Sequence, residues 1–305
     1  FHSAITQSGA ADFVLAPDQV RKVTDAFVDA LPGAGSAAEK LASADNKSWI
    51  KAQNAAVKVL VDRGLRTTTP QFAMNFLPMV DGDLLPALPI EAIAAGAAAD
   101  KRLLAGVCRD EFHFFQYAGV LAGTTTMDTL KQIDDDEILR RFERAMPGNG
   151  ARALDYYQTT VTPESRRSRL DFLSAMESDR LFRVPTVRLL DAQSRHNGQC
   201  WGFQFTWQSA PFGIPLGACH VVDVPFVFGV TDTPAGMYFT GGTDEARALS
   251  RQVQDAWGAF ARGDSPGWDG WQNDRQVCQL GPGEPRAALL DEAGERLWQE
   301  IIPAV

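Results

Sequence analysis

One histidine of the chain lies where a general base would have room to act. His220 follows the small residues Gly217 and Ala218 and precedes a mostly apolar run. A histidine on an apolar stretch is more often a buried core residue, but glycine and alanine let the backbone turn tightly and leave the imidazole free to move. A general base needs that access, so His220 is a candidate for proton transfer near neutral pH.

A carboxylate partner for this histidine follows another apolar run. Residues 101–107 are apolar after polar flanks, which predicts a buried strand, and Asp110 and Glu111 come soon after it. His220 in turn follows the alternating segment 200–207, a second predicted strand. Both side chains then lie at the carboxyl ends of strands, where α/β sheets place their ligands. One carboxylate would orient the imidazole and stabilise its protonated form.

A serine nucleophile is harder to find than the acid and the base. The single G-x-S-x-G match surrounds Ser265, but it follows a predicted helix rather than a strand and comes after the histidine. The next residue is Pro266, which has no backbone N–H to donate to an oxyanion. Ser8 lacks the glycine two residues earlier, since Thr6 stands there, and we expect it only to form a hydrogen bond in a turn. Neither serine is therefore predicted to be the nucleophile.

Four segments in chain order carry a resemblance to one protein family. They are 1–10 (FHSAITQSGA), 77–86 (LPMVDGDLLP), 103–111 (LLAGVCRDE) and 217–229 (GACHVVDVPFVFG). The last resembles the histidine loop of the type-B carboxylesterases, the family that includes the cholinesterases. The third resembles the strand that delivers that family's acidic residue, and the second resembles its VDG-containing segment. The first resembles the segment just after the family's nucleophile helix.

The resemblance implies an α/β-hydrolase fold and a Ser-Glu-His triad. The family's acid corresponds to Glu111 and its base to His220, while Asp110 is the rival acid and better suits a strand-end cap. Asp223 could also reach His220, but the family commonly carries an acidic residue there without a triad role, so we expect a structural ion pair. The implied reaction is hydrolysis of small apolar esters through an acyl-enzyme, with a small-molecule ester as the partner.

The order of the triad implies that part of the enzyme lies elsewhere. In an α/β-hydrolase the nucleophile precedes the acid and the histidine. Residues 1–110 hold neither an elbow motif nor an HGGG-type glycine run for an oxyanion hole. We therefore expect the serine upstream of Phe1, the chain to be the carboxyl-terminal part of a longer enzyme, and the missing amino-terminal part to be its partner. Residues 1–305 alone are predicted to be inactive, with earlier strands and the nucleophile elbow missing.

The elements that must position these residues favour the α/β class. Strands alternate with longer helical stretches, as in a parallel sheet. Strands are predicted at 4–7, 101–107 and 200–207, and short edge strands at 277–280 and 287–290. Helices are predicted at 18–30, 47–63, 136–146, 151–158, 164–176, 178–196 (kinked or restarted at Pro185), 243–262 and 292–301. The strandless block 120–197 predicts a helical insertion that caps the active site, within one α/β-hydrolase domain over residues 1–305.

Composition and cysteine spacing limit the expected binding partners and the expected cellular compartment. The 305 residues are 45% hydrophobic and carry a net charge of −9 without a basic cluster, so we expect no binding to nucleic acid. The sequence has no apolar run long enough for a transmembrane helix, so we expect no membrane span. The cysteines, at 108, 200, 219 and 278, form no C-x-x-C pair, so we expect reduced thiols in a cytosolic protein, without zinc or disulfides. No cofactor is predicted.

Three other interpretations compete with the serine esterase. A zinc site on Glu111, His113 and His220 would need three convergent ligands, two of which the triad already explains. A thiol nucleophile at Cys219 is excluded because its neighbour is His220, and adjacent side chains of an extended chain point apart. A non-catalytic adhesion or binding module on the same fold would need neither Glu111 nor His220, so we favour the enzyme.

Four phenylalanines near the acid and the histidine leave two interpretations open. Phe112, Phe114, Phe115 and Phe212 are large enough to line an acyl or alcohol pocket, and they equally suit an ordinary core. We expect one or two of them to face the substrate.

Overall fold

The chain folds into two compact units. The computed structural model describes residues 1–62, 76–161, 168–196, 198–290 and 292–301. The larger unit comprises Phe1–Ala11 with Ile90–Val305, and the smaller unit comprises Asp12–Pro89. In the described part of the chain, every helix is too short or too polar to cross a lipid bilayer. The predicted acid and base both lie in the larger unit.

A five-stranded sheet forms the centre of the larger unit. In order across the sheet, the strands are β1 (Ser3–Gln7), β2 (Arg102–Cys108), β3 (Cys200–Phe205), β4 (Gln276–Leu280) and β5 (Arg286–Leu289). The first four strands are parallel to one another, and β5 is antiparallel to β4. The carboxyl ends of β1, β2 and β3 therefore lie side by side at one edge of the sheet.

Helices and helical turns connect the strands. In the smaller unit they are α1 (Pro17–Ala30), α2 (Ala37–Ser43) and α3 (Asn46–Asp62). From residue 89 onward they are α4 (Pro89–Ala94), α5 (His113–Gln116), α6 (Ala118–Leu121), α7 (Met127–Lys131), α8 (Asp135–Ala145), α9 (Gly150–Tyr156), α10 (Arg169–Ser178), α11 (Val184–Ser194), α12 (Val224–Val227), α13 (Pro234–Thr240), α14 (Asp244–Arg262) and α15 (Glu292–Ile301). Two π-helical turns, Tyr157–Val161 and Asp179–Arg183, follow α9 and α10.

β2 and β3 approach each other closely because glycine stands at a central position of β2. Gly106 pairs with Phe203, and a Cβ added at Gly106 would lie 2.3 Å from the carbonyl oxygen of Phe203. No side chain fits there without moving one of the two strands. The strands that precede the predicted acid and base are thus held at close range.

One face of α14 covers β3. The buried residues of this helix recur every three or four positions, as the period of an α-helix requires, at Ala246, Leu249, Val253, Trp257 and Phe260. The Trp257 ring meets Phe203 edge-on, with centroids 4.9 Å apart. This packing explains why the apolar pattern of 243–262 predicts the helix correctly.

One predicted strand position needs correction, and three short helices were not predicted. The strand predicted at 277–280 is confirmed as β4, but its predicted edge position is wrong, because β4 pairs with β3 on one side and β5 on the other. The short helices α5, α6 and α7 were not predicted at all. Each spans five residues or fewer, too short to show a periodic pattern in the sequence.

The predicted helix 178–196 is interrupted before it continues. The π-helical turn Asp179–Arg183 separates α10 from α11, and Pro185 lies in the first turn of α11, where its missing N–H costs little. Of the predicted helix 164–176, the first residues lie outside the described part of the chain. Among the described residues no strand occurs between β2 and β3, as expected for a helical block.

Arg102, the first residue of β2, also caps the end of α14. Its Nη1 donates to the carbonyl oxygen of Phe260 at 2.9 Å, and its Nη2 donates to that of Asp264 at 2.5 Å. The guanidinium lies 4.7 Å from the centroid of the Phe260 ring. The last carbonyls of a helix have no partner within it and attract cations, so Arg102 satisfies groups that would otherwise be left unpaired.

We expect the substitution Arg102→Ala to lower the free energy of unfolding by about 2–3 kcal/mol, because it removes two charge-assisted hydrogen bonds and a cation–π contact. Guanidinium denaturation followed by fluorescence measures the change. Arg140→Ala is the matched control, since that exposed arginine forms a surface ion pair with Glu137, at 3.1 Å, and should change stability by less than about 1 kcal/mol. Equal effects of the two substitutions would contradict the capping role.

Candidate active site

The carboxyl ends of β2 and β3 bring the predicted acid and base together. Glu111 follows β2 after a short turn, and the loop after β3 returns to place His220 beside it. The backbone N–H of His220 donates to the carbonyl oxygen of Glu111 at 3.2 Å. His220 Nδ1 lies 2.7 Å from Glu111 Oε2, so the imidazole and the carboxylate are directly hydrogen-bonded.

This hydrogen bond determines which ring nitrogen of His220 can act as a base. A carboxylate only accepts, so Nδ1 carries the proton and Nε2 is the basic nitrogen. The side chain of Glu111 is 1% exposed, whereas that of His220 is 25% exposed. Among the described residues, no serine hydroxyl forms a hydrogen bond with the ring. The arrangement is that of a partly accessible general base oriented by a buried acid.

The second oxygen of Glu111 has a partner that sequence reasoning did not identify. Ser8 Oγ donates to Glu111 Oε1 at 2.5 Å, and the backbone N–H of Cys108 donates to the same oxygen at 2.7 Å. Ser8 follows the last residue of β1, and its N–H donates to the carbonyl oxygen of Gly106 at 2.8 Å. A hydrogen bond from Ser8 was predicted, but its acceptor depends on β1 lying next to β2. The only sequence signal was the position of Ser8 at the end of a strand.

Asp223 lies close behind this pair, and the partner of its carboxylate is a glutamine. Its Oδ2 accepts a hydrogen bond of 2.5 Å from Gln7 Nε2, and Gln7 Oε1 accepts one of 3.2 Å from Trp257 Nε1. Among the described residues Asp223 has no salt bridge to lysine or arginine, so the expected structural ion pair is not found in this part of the chain. Burial raises the pKa of Asp223 above 3.8, and the charge of Glu111 adds to that rise.

Asp110, the rival acid, binds the backbone of the histidine loop. Its Oδ2 accepts a hydrogen bond of 2.8 Å from the N–H of Ala218 and lies 3.0 Å from Arg109 Nη2. His113, considered above as a zinc ligand, places Nδ1 3.0 Å from the carbonyl oxygen of Leu216. In the part of the chain that the structure describes, no group of three or more His, Cys, Asp and Glu side chains is arranged to hold a metal ion.

Aromatic rings enclose the imidazole. The centroids of Phe115 and Phe182 each lie 5.2 Å from that of His220, and the centroid of Phe114 lies at 6.4 Å. Phe182 belongs to the π-helical turn after α10, within the predicted helical insertion, and was not a sequence candidate. Phe212 was a candidate, but it is 89% exposed and its ring contact is with Tyr238.

Phe112 is the fourth candidate phenylalanine, and it lies in the core. Its side chain is buried, and its ring contacts Phe115 at a centroid distance of 5.8 Å. Its backbone N–H donates to Ser178 Oγ at 3.0 Å, which ties the end of α10 to the turn that carries the acid. Of the four candidates, Phe114 and Phe115 are therefore the two whose rings contact the imidazole.

Two opposing effects act on the pKa of His220. Burial lowers the pKa, while the hydrogen bond and charge of Glu111, together with the charge of Asp223, raise it. The carboxylates prevail, so the pKa lies above the ordinary value of 6.5. The neutral imidazole needed for proton abstraction is therefore populated as the pH rises through this raised pKa, above 6.5.

The neighbouring thiol is not suited to nucleophilic attack. Burial and the charge of Glu111 raise the pKa of Cys219 to about 12. The thiolate is the reactive form of cysteine, so near neutral pH Cys219 remains protonated. This agrees with the exclusion of a thiol hydrolase from the sequence.

The sequence and the fold both match known proteins. A model of the carboxylesterase family matches residues 1–283. The chain belongs to the carboxylesterase family. The resemblance of its four segments to the type-B carboxylesterases is thereby confirmed.

Individual carboxylesterases resemble the chain along much of its length. Para-nitrobenzyl esterase of Bacillus subtilis (strain 168) is 30% identical over 267 residues, covering 87% of this chain and 49% of that protein. Acetylcholinesterase of Bungarus fasciatus is 23% identical over 201 residues, covering 64% of this chain and 32% of that protein. The chain thus spans about half the length, or less, of these relatives.

Solved carboxylesterase structures share the fold. A carboxylesterase from Geobacillus stearothermophilus superimposes with a TM-score of 0.73 at 22% identity, over 96% of this chain and 57% of that one. A PNB esterase superimposes with a TM-score of 0.72 at 26% identity, over 99% of this chain and 57% of that one. The predicted α/β-hydrolase fold is confirmed.

We expect the substitution Glu111→Gln to lower the pKa of His220. The neutral amide removes the charge that raises the pKa, while the burial that lowers it remains. A pH titration of the His220 ring proton by NMR, assigned with His220→Ala, measures the shift. Asp223→Asn is the comparison and should lower the pKa less, since Asp223 acts on the imidazole through its charge alone. An unchanged pKa in Glu111→Gln would contradict the assignment of Glu111 as the acid.

Proposed function

We propose that this chain supplies the acid and the base of a Ser-Glu-His triad that hydrolyses carboxylic esters. The contact that carries the proposal is the 2.7 Å hydrogen bond between His220 Nδ1 and Glu111 Oε2, at the carboxyl ends of adjacent parallel strands. In this proposal the nucleophilic serine and the oxyanion hole lie outside residues 1–305. Membership of the carboxylesterase family supports the reaction class.

The proposed reaction consists of acylation and deacylation of the serine, and each of these steps includes two proton transfers through His220. Nε2 of His220 takes the serine proton while the serine oxygen attacks the ester carbonyl carbon, and Glu111 stabilises the resulting imidazolium. The same nitrogen then gives this proton to the leaving alcohol as the C–O bond breaks, which leaves an acyl-enzyme. Water then attacks the acyl carbon while Nε2 of His220 takes a proton from it. The same nitrogen returns this proton to the serine oxygen as the bond between serine and the acyl group breaks, which releases the carboxylic acid.

An apolar ester is the substrate class that the surroundings of the base support. The rings of Phe114, Phe115 and Phe182 enclose His220, so the part of an ester next to the imidazole would meet aromatic carbon. A relative bears the name para-nitrobenzyl esterase, and another is a bile salt-activated lipase of Mus musculus, 28% identical over 201 residues. Both names agree with an ester that has an apolar part.

We expect the protein at its natural length to hydrolyse para-nitrophenyl acetate and to react with a fluorophosphonate probe. His220→Ala should lower turnover by about a millionfold and abolish fast labelling, because the serine then has no base. The wild-type kcat/KM should rise with pH through a pKa above 6.5. His196→Ala is the matched control, since that exposed ring contacts the Ala94 carbonyl oxygen and should leave turnover unchanged.

Two outcomes of this experiment would count against the proposal. Labelling of His220→Ala at the wild-type rate would remove His220 as the base. Failure of the wild-type protein to react with the probe or to cleave the ester would favour a non-catalytic binding module on the same fold.

A polypeptide of residues 1–305 alone is expected to show no esterase activity and no fluorophosphonate labelling. It carries two members of the proposed triad, and removal of the nucleophile costs about a millionfold in turnover. Ester hydrolysis by the purified segment, with cooperative unfolding as proof that it is folded, measures this. A folded segment that cleaves the ester would show that its nucleophile lies within these residues.

A further inference from the structure

The turn after β2 contacts the loop that carries His220 through Asp110 as well as through Glu111. We propose that Asp110 is a positioning residue of the triad, whose carboxylate fixes the loop 217–220 so that the imidazole of His220 meets Glu111. The inference deepens the proposed function and rests on it. It assigns to Asp110 a role different from that of Glu111, the proposed acid of the triad.

Asp110 contacts the histidine loop through both its backbone and its side chain. Its N–H donates to the carbonyl oxygen of Ala218 at 2.8 Å, and its Oδ2 accepts from the N–H of Ala218 at 2.8 Å. The backbone N–H and the backbone carbonyl of Ala218 are therefore both hydrogen-bonded to a single residue. Ala218 stands two positions before His220, so a shift at this point moves the imidazole directly.

The sequence of the loop leaves room for this carboxylate. Gly217 has a φ of 62°, which favours glycine, and a Cβ there would lie 2.4 Å from Asp110 Oδ2. The space that a side chain at Gly217 would fill is thus already occupied by Asp110. Arg109 Nη2, 3.0 Å from the same oxygen, balances the charge of the buried carboxylate.

The residue after His220 shows why the loop needs to be held. Val221 has a φ of 66°, a left-handed conformation that is unfavourable for a β-branched residue and costs about 1–3 kcal/mol. Such a conformation persists only where the surroundings enforce it. The bonds to Asp110 hold the loop on the amino-terminal side of His220. Without them, the loop can relax away from Glu111.

The first test compares Asp110→Ala with Asp110→Asn in the protein at its natural length. Alanine removes the acceptor for the Ala218 N–H, and we expect kcat to fall by about a hundredfold, the size of effect that small misplacements produce, with KM unchanged. Asparagine keeps an acceptor oxygen in the same place and should restore most of kcat. If asparagine were as poor as alanine, the charge and not the hydrogen bond would matter, and the positioning role would be wrong.

A double-mutant cycle with Gly217→Ala tests the contact itself. In the wild-type background the added methyl group collides with the Asp110 carboxylate, at 2.4 Å from Oδ2 and 3.0 Å from Cγ, whereas in Asp110→Ala both of these atoms are gone and only the Cβ, at 3.3 Å, remains. We expect Gly217→Ala to lower kcat by a smaller factor in the Asp110→Ala background than in the wild type, since groups in direct contact do not act additively. Equal factors in the two backgrounds would show that the two residues are not coupled.

An NMR measurement separates this inference from the proposed function. The Nδ1 proton shared by His220 and Glu111 should resonate far downfield in the wild type and in Asp110→Asn, and should move or disappear in Asp110→Ala. That result supports the positioning role even if the wild type cleaves no ester, in which case the proposed function alone fails. A wild-type resonance and a wild-type kcat in Asp110→Ala would overturn the inference. Arg102→Ala, which acts at the opposite end of β2, controls for a general loss of stability.

Discussion

The carboxylate of Glu111 is almost completely buried, and a buried charge must be met by hydrogen-bond donors. It receives them from three separate parts of the chain: the hydroxyl of Ser8, the backbone N–H of Cys108 and the imidazole of His220. Ser8 directly follows β1, Cys108 is the last residue of β2, and His220 lies in the loop after β3; these three strands lie side by side in parallel. Because one side chain needs all three, the register of three strands and the geometry of the site depend on each other.

The adjacent carboxylates of Asp110 and Glu111 form different contacts. Asp110 and Glu111 were rivals for one role in the sequence, since both follow the same strand. In the structure Glu111 accepts from the side chain of His220, whereas Asp110 accepts from the backbone of Ala218. The proposed triad needs both a polarised imidazole and a fixed loop, and we propose that the two consecutive carboxylates provide one each. Their position after the strand does not distinguish the two carboxylates, and only the resemblance to the family assigned the acid to Glu111; the contact of Asp110 with Ala218 depends on the tertiary structure.

The strands before Glu111 and His220 were predictable because their signals are local. An apolar run marks each strand, and small residues mark the loop of His220. Ser8 and Phe182 were missed as contacts of the site because each reaches it through tertiary structure: Ser8 through the pairing of β1 with β2, and Phe182 through a π-helical turn. The edge position assigned to 277–280 was wrong for a related reason, since burial between two strands depends on sheet order, which a short apolar run does not reveal.

The aromatic rings and the acid act on the same imidazole in opposite directions. Phe115 and Phe182 help to bury His220, which lowers its pKa, while Glu111 raises it. A general base works best when its pKa lies near the working pH. At His220 the carboxylates outweigh the burial, so the pKa lies above its ordinary value. One of these rings, that of Phe182, comes from the helical block between β2 and β3, so this block contacts a histidine that lies beyond the end of a strand.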